Sequence, residues 1–513
     1  MAEKINLDAL IPRADLAAIN SDPRGKRKDT ISAVDLKENA FFLLNLYKPD
    51  FQRETTEWDS KKTKEFIKSF LTDELIPAII LWQGNSGNIF VIDGAHRLSA
   101  LIAWINDDYG DGAITRKVFG KNISEEQTTT AEKLRASIEK EIGAYSRFEE
   151  AMKNPDSYKE DVVKTARNLS SLAVQLQWVE GDVMSAERSF FNINQKASPI
   201  NKTEMKLIQN RKNPIGIAAR AIMSSGLGHK YWSAFPEDNQ KEIEMAAKEI
   251  HDILFLPKLQ IPIKTTDVPM CGKYNSSALP TIFDFLELCV HNDSIYQEDI
   301  DGGITIKCLK QARKIARLIN SKHESSLGLH PLVYFYAESG AFKVASFYAV
   351  AHFVNELDIR GKKDDFTAVR SSFEKVYLDS ASVIQFLVRK ARSAKNSTTD
   401  ISNFLVCILQ KLTAGIESDE VLSELRKEER YKDIPSDARD YDSNDAIDFT
   451  AAKKSEIFIR DSISTIPRCA LCGGYLHMNS ISIDHITRKQ DGGLGNVDNG
   501  QLTHPYCNTG YKN

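Results

Sequence analysis

Cys469-Ala-Leu-Cys472, Ser482-Ile-Asp484-His485-Ile486, Asn499 and His504-Pro-Tyr-Cys507-Asn508 follow one another near the C-terminal end of the chain. Their reading decides how the rest is organised. Cys469 with Cys472, and His504 with Cys507, are two close pairs of soft or borderline ligands. Each pair fits one tight turn, and a tetrahedral structural zinc that joins two such turns is the usual outcome of this spacing. Between the pairs, Ile481, Ile483 and Ile486 mark a short β-like run that carries Asp484 and His485, and Gln490-Asp-Gly-Gly493 marks a turn. On the ligand pairs alone, a plain zinc ribbon with a chance Asp-His dipeptide remains an alternative.

The residues between and beside the ligands carry a specific chemistry. Phosphodiester hydrolysis needs an activated water in line with the leaving oxygen, and a cation to absorb charge on the phosphate. His485 suits the proton acceptor. Asp484, and the amide oxygen of Asn508, suit a hard divalent ion such as Mg2+ or Mn2+. Asn499 suits the fixing of the loop and the orientation of the His485 ring. In order and spacing, Asp484-His-Ile, Gly492-Gly493, Asn499 with Leu502, His504-x-x-Cys507-Asn508 and Lys512 resemble the HNH, or ββα-metal, nuclease family. Two positions depart from the family's commoner pattern: Asn508 stands in place of His, and His504 in place of Cys. The resemblance implies a metal-dependent endonuclease acting on double-stranded DNA. Arg488-Lys489 is a candidate phosphate grip. His477 falls off the pattern and reads as a solvent-facing turn residue.

Working outward, 513 residues with 42% hydrophobic composition are enough for three or so domains with ordinary cores. A net charge of −4 creates no whole-protein attraction to nucleic acid, so any DNA contact must be local. No apolar run approaches the roughly 20 residues of a membrane span. The opening Met-Ala-Glu-Lys-Ile-Asn lacks a secretory pattern. Cys271, Cys289, Cys308 and Cys407 are scattered singly and read as buried thiols, which points to a reducing, cytoplasmic setting.

Near the other end, apolar positions Phe66, Ile67, Phe70 and Leu71 have helical spacing. Ile76-Pro-Ala-Ile-Ile-Leu-Trp82, a turn over 84–88 and Ile89-Phe-Val-Ile92 predict a β-hairpin that runs into Asp93-Gly94-Ala95-His96-Arg97 and a helix. A strand, a tight turn and a helix N-terminus can receive an anion, and Arg97 adds a planar donor fork. The plainer reading is an Asp-capped hairpin end with a surface arginine. Phe51-Gln-Arg53, Trp58, Ile76-Pro77 and Asp93 to Arg97 together resemble the ParB-like domain of GmrSD-type modification-dependent restriction enzymes, with Ala95 where that family usually has Gln. A downstream Phe190-Phe191, Asn194, Ile200 and Glu204 resembles a second element of the family. The resemblance implies a nucleoside triphosphate site that uses Arg53, Asp93, Gly94, His96, Arg97 and Asn194, closed over by a polar loop. Asn201-Lys-Thr-Glu204 also reads as an N-capped helix start.

A long helical region is expected from about Ser124 through Glu180. Beyond it, Ile215–Met223, Ile243–Leu254, Ile282–Cys289, Leu309–Ile319, Leu332–Val354 and Phe373–Leu387 are helical by periodicity. Lys307, Lys310, Arg313, Lys314 and Arg317 form a basic helix face, and Arg389, Lys390, Arg392 and Lys395 a second basic run; each reads either as a solvated face or as a DNA contact. No GxxxxGK[ST] sequence is present, so a Walker-type ATPase is unsupported.

The expected fold class is α+β: an N-terminal ParB-like α/β domain (1–205), a largely helical middle (206–416), a charged linker (417–448) and a small zinc-clipped ββα-metal domain (449–513). The expected function is endonucleolytic anti-phage defence under control of a bound nucleotide. The partners expected are phage DNA, a nucleoside triphosphate and a further copy of the chain in a homo-oligomer. A nucleotide switch or DNA-binding scaffold with a purely structural zinc module is the rival.

Overall fold

A computed structural model of the protein describes residues 5–14, 27–49, 52, 58–84, 87–119, 123, 125–183, 185–186, 188–190, 193, 210, 212–227, 230–274, 278–290, 293–432 and 448–511. The chain divides into two compact units, 1–211 with 227–230, and 212–226 with 231–513.

The first unit is built on a six-stranded mixed sheet. Its strands are β1 (Arg13–Ala14), β2 (Thr30–Ser32), β3 (Leu46–Pro49), β4 (Ile79–Gln83), β5 (Ile89–Asp93) and β6 (Ala173–Val179), in the order β1-β3-β5-β4-β6-β2. β4 and β5 are the expected antiparallel hairpin, with a register shift between Ile80 and Leu81. Helix α1 (Ser60–Leu71) starts at Asp59, whose carboxylate accepts from Lys62 N at 2.8 Å, and buries Thr63, Ile67 and Phe70 at helical spacing. Helix α2 (Ala95–Asn106) follows β5 after one residue, Gly94, and buries every position from Leu98 to Ile105. Its apolar surface, with Ile79, Leu81 and Val91 of the hairpin, belongs to the main core of the unit. This packing fixes the turn at 93–97 against a rigid sheet.

The expected helical region from about Ser124 through Glu180 is corrected at its C-terminal end. Helices cover Glu125–Glu141, Tyr145–Lys153 and Glu160–Leu169, but 173–179 is strand β6, parallel to β4 and antiparallel to β2. Ala173-Val-Gln-Leu-Gln alternates exposed and buried side chains, with Val174 and Leu176 inward. That is a strand period of two rather than a helical one.

The second unit is mainly helical. Its helices include Pro214–Met223, α3 (Glu237–Phe255), Leu279–Cys289, α4 (Gly303–Ile319), α5 (Val344–Ile359), α6 (Arg370–Asp379), Ala381–Ala391, Thr398–Thr413 and Ser418–Arg426. Two expected helices are interrupted. Tyr336 and Phe342 form an antiparallel bridge inside 332–354, and a break at Ser380 splits 373–387.

The basic face of α4 is largely neutralised within the unit. Lys310 pairs with Glu242 at 2.7 Å, Arg313 and Arg317 with Glu249 at 3.5 and 2.5 Å, and Lys314 with Asp358 at 2.7 Å. Lys395 of the second basic run pairs with Asp284 at 2.8 Å and with Glu287. Cys271, Cys289 and Cys308 are buried as expected, and Cys407 is half-buried.

Of the charged 417–448 segment, Ser418–Arg426 is a helix that buries Val421 and Leu425, and 433–447 lies outside the described residues. After helix Ala451–Ser462, β7 (Ser482–His485) and β8 (Gly500–Thr503) form a separate antiparallel ribbon. Among the described residues, no helix is long and apolar enough to cross a membrane.

Candidate functional site

The four ligand candidates converge. One donor atom from each of Cys469, Cys472, His504 and Cys507 lies within 4.8 Å of every other, and all four residues are buried. The first pair sits on a tight loop closed by Cys469 N to Gly474 O (2.8 Å) and Gly473 N to Cys469 O (2.9 Å). His504 Nε2 lies 3.0 Å from the Tyr475 carbonyl and must donate to it, so Nδ1 carries the lone pair. Nδ1 faces the thiols, 3.3 Å from Cys472 Sγ and 3.8 Å from Cys507 Sγ.

Three thiols this close cannot all ionise by themselves. Hydrogen bonds from Cys472 and Cys507 hold Cys469 well below the usual thiol range. Proximity to Cys469 pushes Cys472 up to about 11 and raises Cys507 as well. A divalent cation removes that conflict, and three sulfurs with one imidazole nitrogen are a donor set suited to zinc.

Between the two ligand pairs, β7 pairs Asp484 with Gln501 and His485 with Gly500. Asp484 is 5% exposed and accepts from Gln501 Nε2 at 2.8 Å. Asn508, one residue past Cys507, donates its amide nitrogen to Ser482 Oγ at 2.7 Å and to Ile483 O at 3.3 Å. Ser482 and Asp484 are two apart on one strand, so Asn508 is held on the Asp484 face of the ribbon. His485, half-buried, is the last residue of β7, and strand alternation turns it from that face.

Asn499 stitches the loop after β7. Its Oδ1 accepts from Thr487 N at 2.7 Å, and its Nδ2 donates to Thr487 O at 3.1 Å and Leu494 O at 2.8 Å. Gly493 explains the glycine pair, because a Cβ there would lie 1.8 Å from Thr487 O.

His477 is corrected: it is fully buried, not solvent-facing. Its Nδ1 lies 3.1 Å from Asn320 Oδ1 and its Nε2 3.7 Å from Asp267 Oδ1, and burial depresses its pKa to about 4. The turn looks polar in sequence but lies against the helices of its own unit.

In the first unit, the start of α2 lines a cavity of about 490 Å³ together with Gln52, Trp58 and Asp93. Gly94 has φ +95°, and a Cβ there would meet Ile79 Cδ1 at 2.6 Å, so only glycine fits the turn. His96 stacks on Trp58, with ring centroids 5.9 Å apart. Arg97 donates to Asp93 Oδ2 at 2.7 Å and to Pro77 O at 3.1 Å, so much of its fork is spent inside the motif. Arg53 and Asn194 lie outside the described residues, as do Phe191 and Glu204. Gln52 is an addition: its Oε1 is buried in the cavity wall without a hydrogen-bond partner among the described residues. Its place inside Phe51-Gln-Arg53 was the available signal.

A Cys3His knuckle that clasps a two-stranded Asp-His ribbon, with an asparagine fixed on the same strand, defines the class of HNH nucleases. Family comparison agrees at both ends of the chain. Residues 469–513 match the HNH endonuclease model, and residues 34–211 match the GmrSD restriction endonuclease N-terminal domain. A GmrSD-type N-terminal domain and a C-terminal HNH domain on one chain match the GmrSD-type fusion, and the two domains indicate a DNA-cleaving hydrolase. Comparison with curated proteins and with solved structures gave no match.

Proposed function

We propose that this protein is a Mg2+- or Mn2+-dependent endonuclease that acts in the bacterial cytoplasm on phage DNA, with its HNH module regulated by a nucleoside triphosphate bound in the first unit. The observation that carries the nuclease assignment is the placement of Asp484 and Asn508 on one face of β7, beside His485.

In this reading Asp484 and the amide oxygen of Asn508 hold the divalent ion, which when bound would offset charge on the scissile phosphate and the departing oxygen. His485 takes the proton from the attacking water. In-line displacement keeps the attacking and leaving oxygens on opposite sides of phosphorus, so base and cation need not share a face. Gln501 holds the Asp484 carboxylate, and Asn499 holds the loop that follows the base. Cys469, Cys472, His504 and Cys507 keep a structural zinc.

For the first unit we propose that the nucleotide enters the cavity at the start of α2. Asp93, Gly94, His96 and Arg97 form its polar side and Trp58 supplies a stacking surface; Arg53 and Asn194 are assigned to nucleotide binding on the family motif alone. The functional division we propose is a sensor (1–205), a helical part (206–416), a charged linker (417–448) and the nuclease (449–513), with self-association into a homo-oligomer.

The test is cleavage of modified and unmodified phage DNA with each triphosphate present or absent, in Mg2+ or Mn2+, beside His485→Ala. Cleavage by the wild type and none by the variant is expected. Equal cutting by both, or by neither under any condition, leaves the nucleotide-switch or scaffold reading in its place.

A further inference from the structure

Helix α6 carries a charge pair that the nuclease chemistry does not use. Arg370 and Glu374 stand one turn apart with Arg370 Nε 3.0 Å from Glu374 Oε1, and their side chains are 1% and 0% exposed. A buried ion pair is costly unless its remaining polar atoms are also bonded. Here they are. Arg370 donates to the carbonyls of Leu327 and, at 3.0 Å, Gly328. Tyr334 OH lies 3.3 Å from Glu374 Oε1. Glu374 Oε2 accepts from Tyr475 N at 3.0 Å, across 101 positions of sequence.

Tyr475 belongs to the loop that follows Cys472, and its carbonyl is the acceptor for His504 Nε2 at 3.0 Å. A continuous path therefore runs from Arg370 through Glu374 and the backbone N–H and carbonyl of Tyr475 to the ring of a zinc-ligand candidate. Packing leaves this path no slack. A Cβ at Gly474 would lie 2.5 Å from Arg370 Nε, and one at Gly328 would lie 2.3 Å from His504 Cδ2.

Charge points the same way. Three thiolates and a neutral imidazole around a divalent cation carry a net negative charge, and a buried negative centre favours a fixed cation beside it. Burial opposes the charge on Arg370, but the negative charges of Glu374, Cys472 and Cys507 raise its pKa in that sense.

We propose that Arg370 and Glu374 are positioning residues for the zinc knuckle. Through the backbone of Tyr475 they hold His504 in the tautomer and orientation that present Nδ1 to the metal, so the helical part of the chain completes the metal site of the nuclease. The inference rests on the reading that Cys469, Cys472, His504 and Cys507 bind zinc.

The experiment uses the full-length protein as wild type, Glu374→Gln, Arg370→Lys and Cys472→Ser. It measures zinc content, the rate of zinc transfer to a chromophoric chelator, and the visible spectrum after cobalt replacement. Outer partners of a ligating histidine typically contribute ~10–100-fold to metal retention. The expected result is zinc in the wild type, transfer from Glu374→Gln and Arg370→Lys at least about tenfold faster, and a shifted cobalt spectrum in both. The spectrum separates positioning from mere loss of stability, because a folded fraction with unaltered ligand geometry keeps the wild-type bands. If Glu374→Gln yields no folded protein, Arg370→Lys, which keeps charge and most of the bulk, decides. Wild-type transfer rates and bands in the folded variants, with zinc lost only in Cys472→Ser, would overturn the inference and leave the zinc reading intact. A wild type without zinc overturns both.

Discussion

Replacing Gly493 with alanine puts the proposed role of the loop beside His485 to a sharp test. The added Cβ would sit 1.8 Å from Thr487 O, 2.7 Å from the Thr487 carbonyl carbon and 2.9 Å from Asn499 Nδ2. Two of the three are backbone atoms, so no side-chain rotation relieves the clash, and the chain at 487 or 493 must move by more than an ångström. That movement pulls on the bonds from Asn499 to Thr487 N, Thr487 O and Leu494 O. At roughly 0.5–1.5 kcal/mol each, their loss amounts to about 1.5–4.5 kcal/mol of local order. If all of it is felt when His485 engages water, cleavage slows by roughly ten- to two-thousand-fold. Gly495→Ala is the control, because a Cβ there meets nothing within 4 Å. Single-turnover plasmid nicking, with zinc content measured in parallel, reads the effect. Gly493→Ala should retain zinc and cut slowly, and Gly495→Ala should resemble the wild type. Wild-type cutting by Gly493→Ala, or equal loss in both variants, would refute the reasoning.

Three further outcomes are expected. Asp484→Asn and Asn508→Ala should abolish cleavage at ordinary Mg2+ while keeping zinc, with partial recovery as Mg2+ or Mn2+ is raised; full activity in either variant would remove that residue from the cation site. His477 should make the second unit acid-labile. Its folded pKa of about 4 lies below the unfolded value of ~6.5, so the unfolded chain binds the extra proton and stability falls as pH drops from 6.5 toward 4. The loss by pH 5 is about 2 kcal/mol, and urea unfolding of His477→Asn should show a correspondingly flatter pH profile; parallel profiles would contradict the assignment. Trp58→Ala should weaken triphosphate binding by roughly five- to 150-fold, the range of ~1–3 kcal/mol for one stacked base, as measured by calorimetry; unchanged affinity would place the nucleotide elsewhere.

Much of the architecture is local and was therefore legible. The β4–β5 hairpin, the turn at Gly94 and helix α2 follow from strand propensity, a position that only glycine fits and an apolar run. The Cys469–Cys472 and His504–Cys507 pairs follow from ligand spacing alone. The alternation of strand β6 is present in the sequence, but the three helices directly before it extend a helical expectation over it. The basic face of α4 was visible as a pattern, but its partners Glu242, Glu249 and Asp358 were not, so whether it was open to phosphate could not be read from the helix itself.

The sequence by itself determined the chemical inventory of this protein: a zinc-type ligand set, an Asp-His strand, an asparagine after the last ligand and a second polar turn at a helix start. These depend on spacings of a few residues, over which backbone geometry is nearly fixed. Only the tertiary structure decided what surrounds them. It buried His477, spent the Arg97 fork on Asp93 and Pro77, neutralised most of the α4 face, and joined Arg370 and Glu374 to the knuckle through Tyr475. Burial and charge pairing depend on groups brought together from distant parts of the chain, 101 positions apart for Glu374 and Tyr475, and no local pattern encodes that proximity.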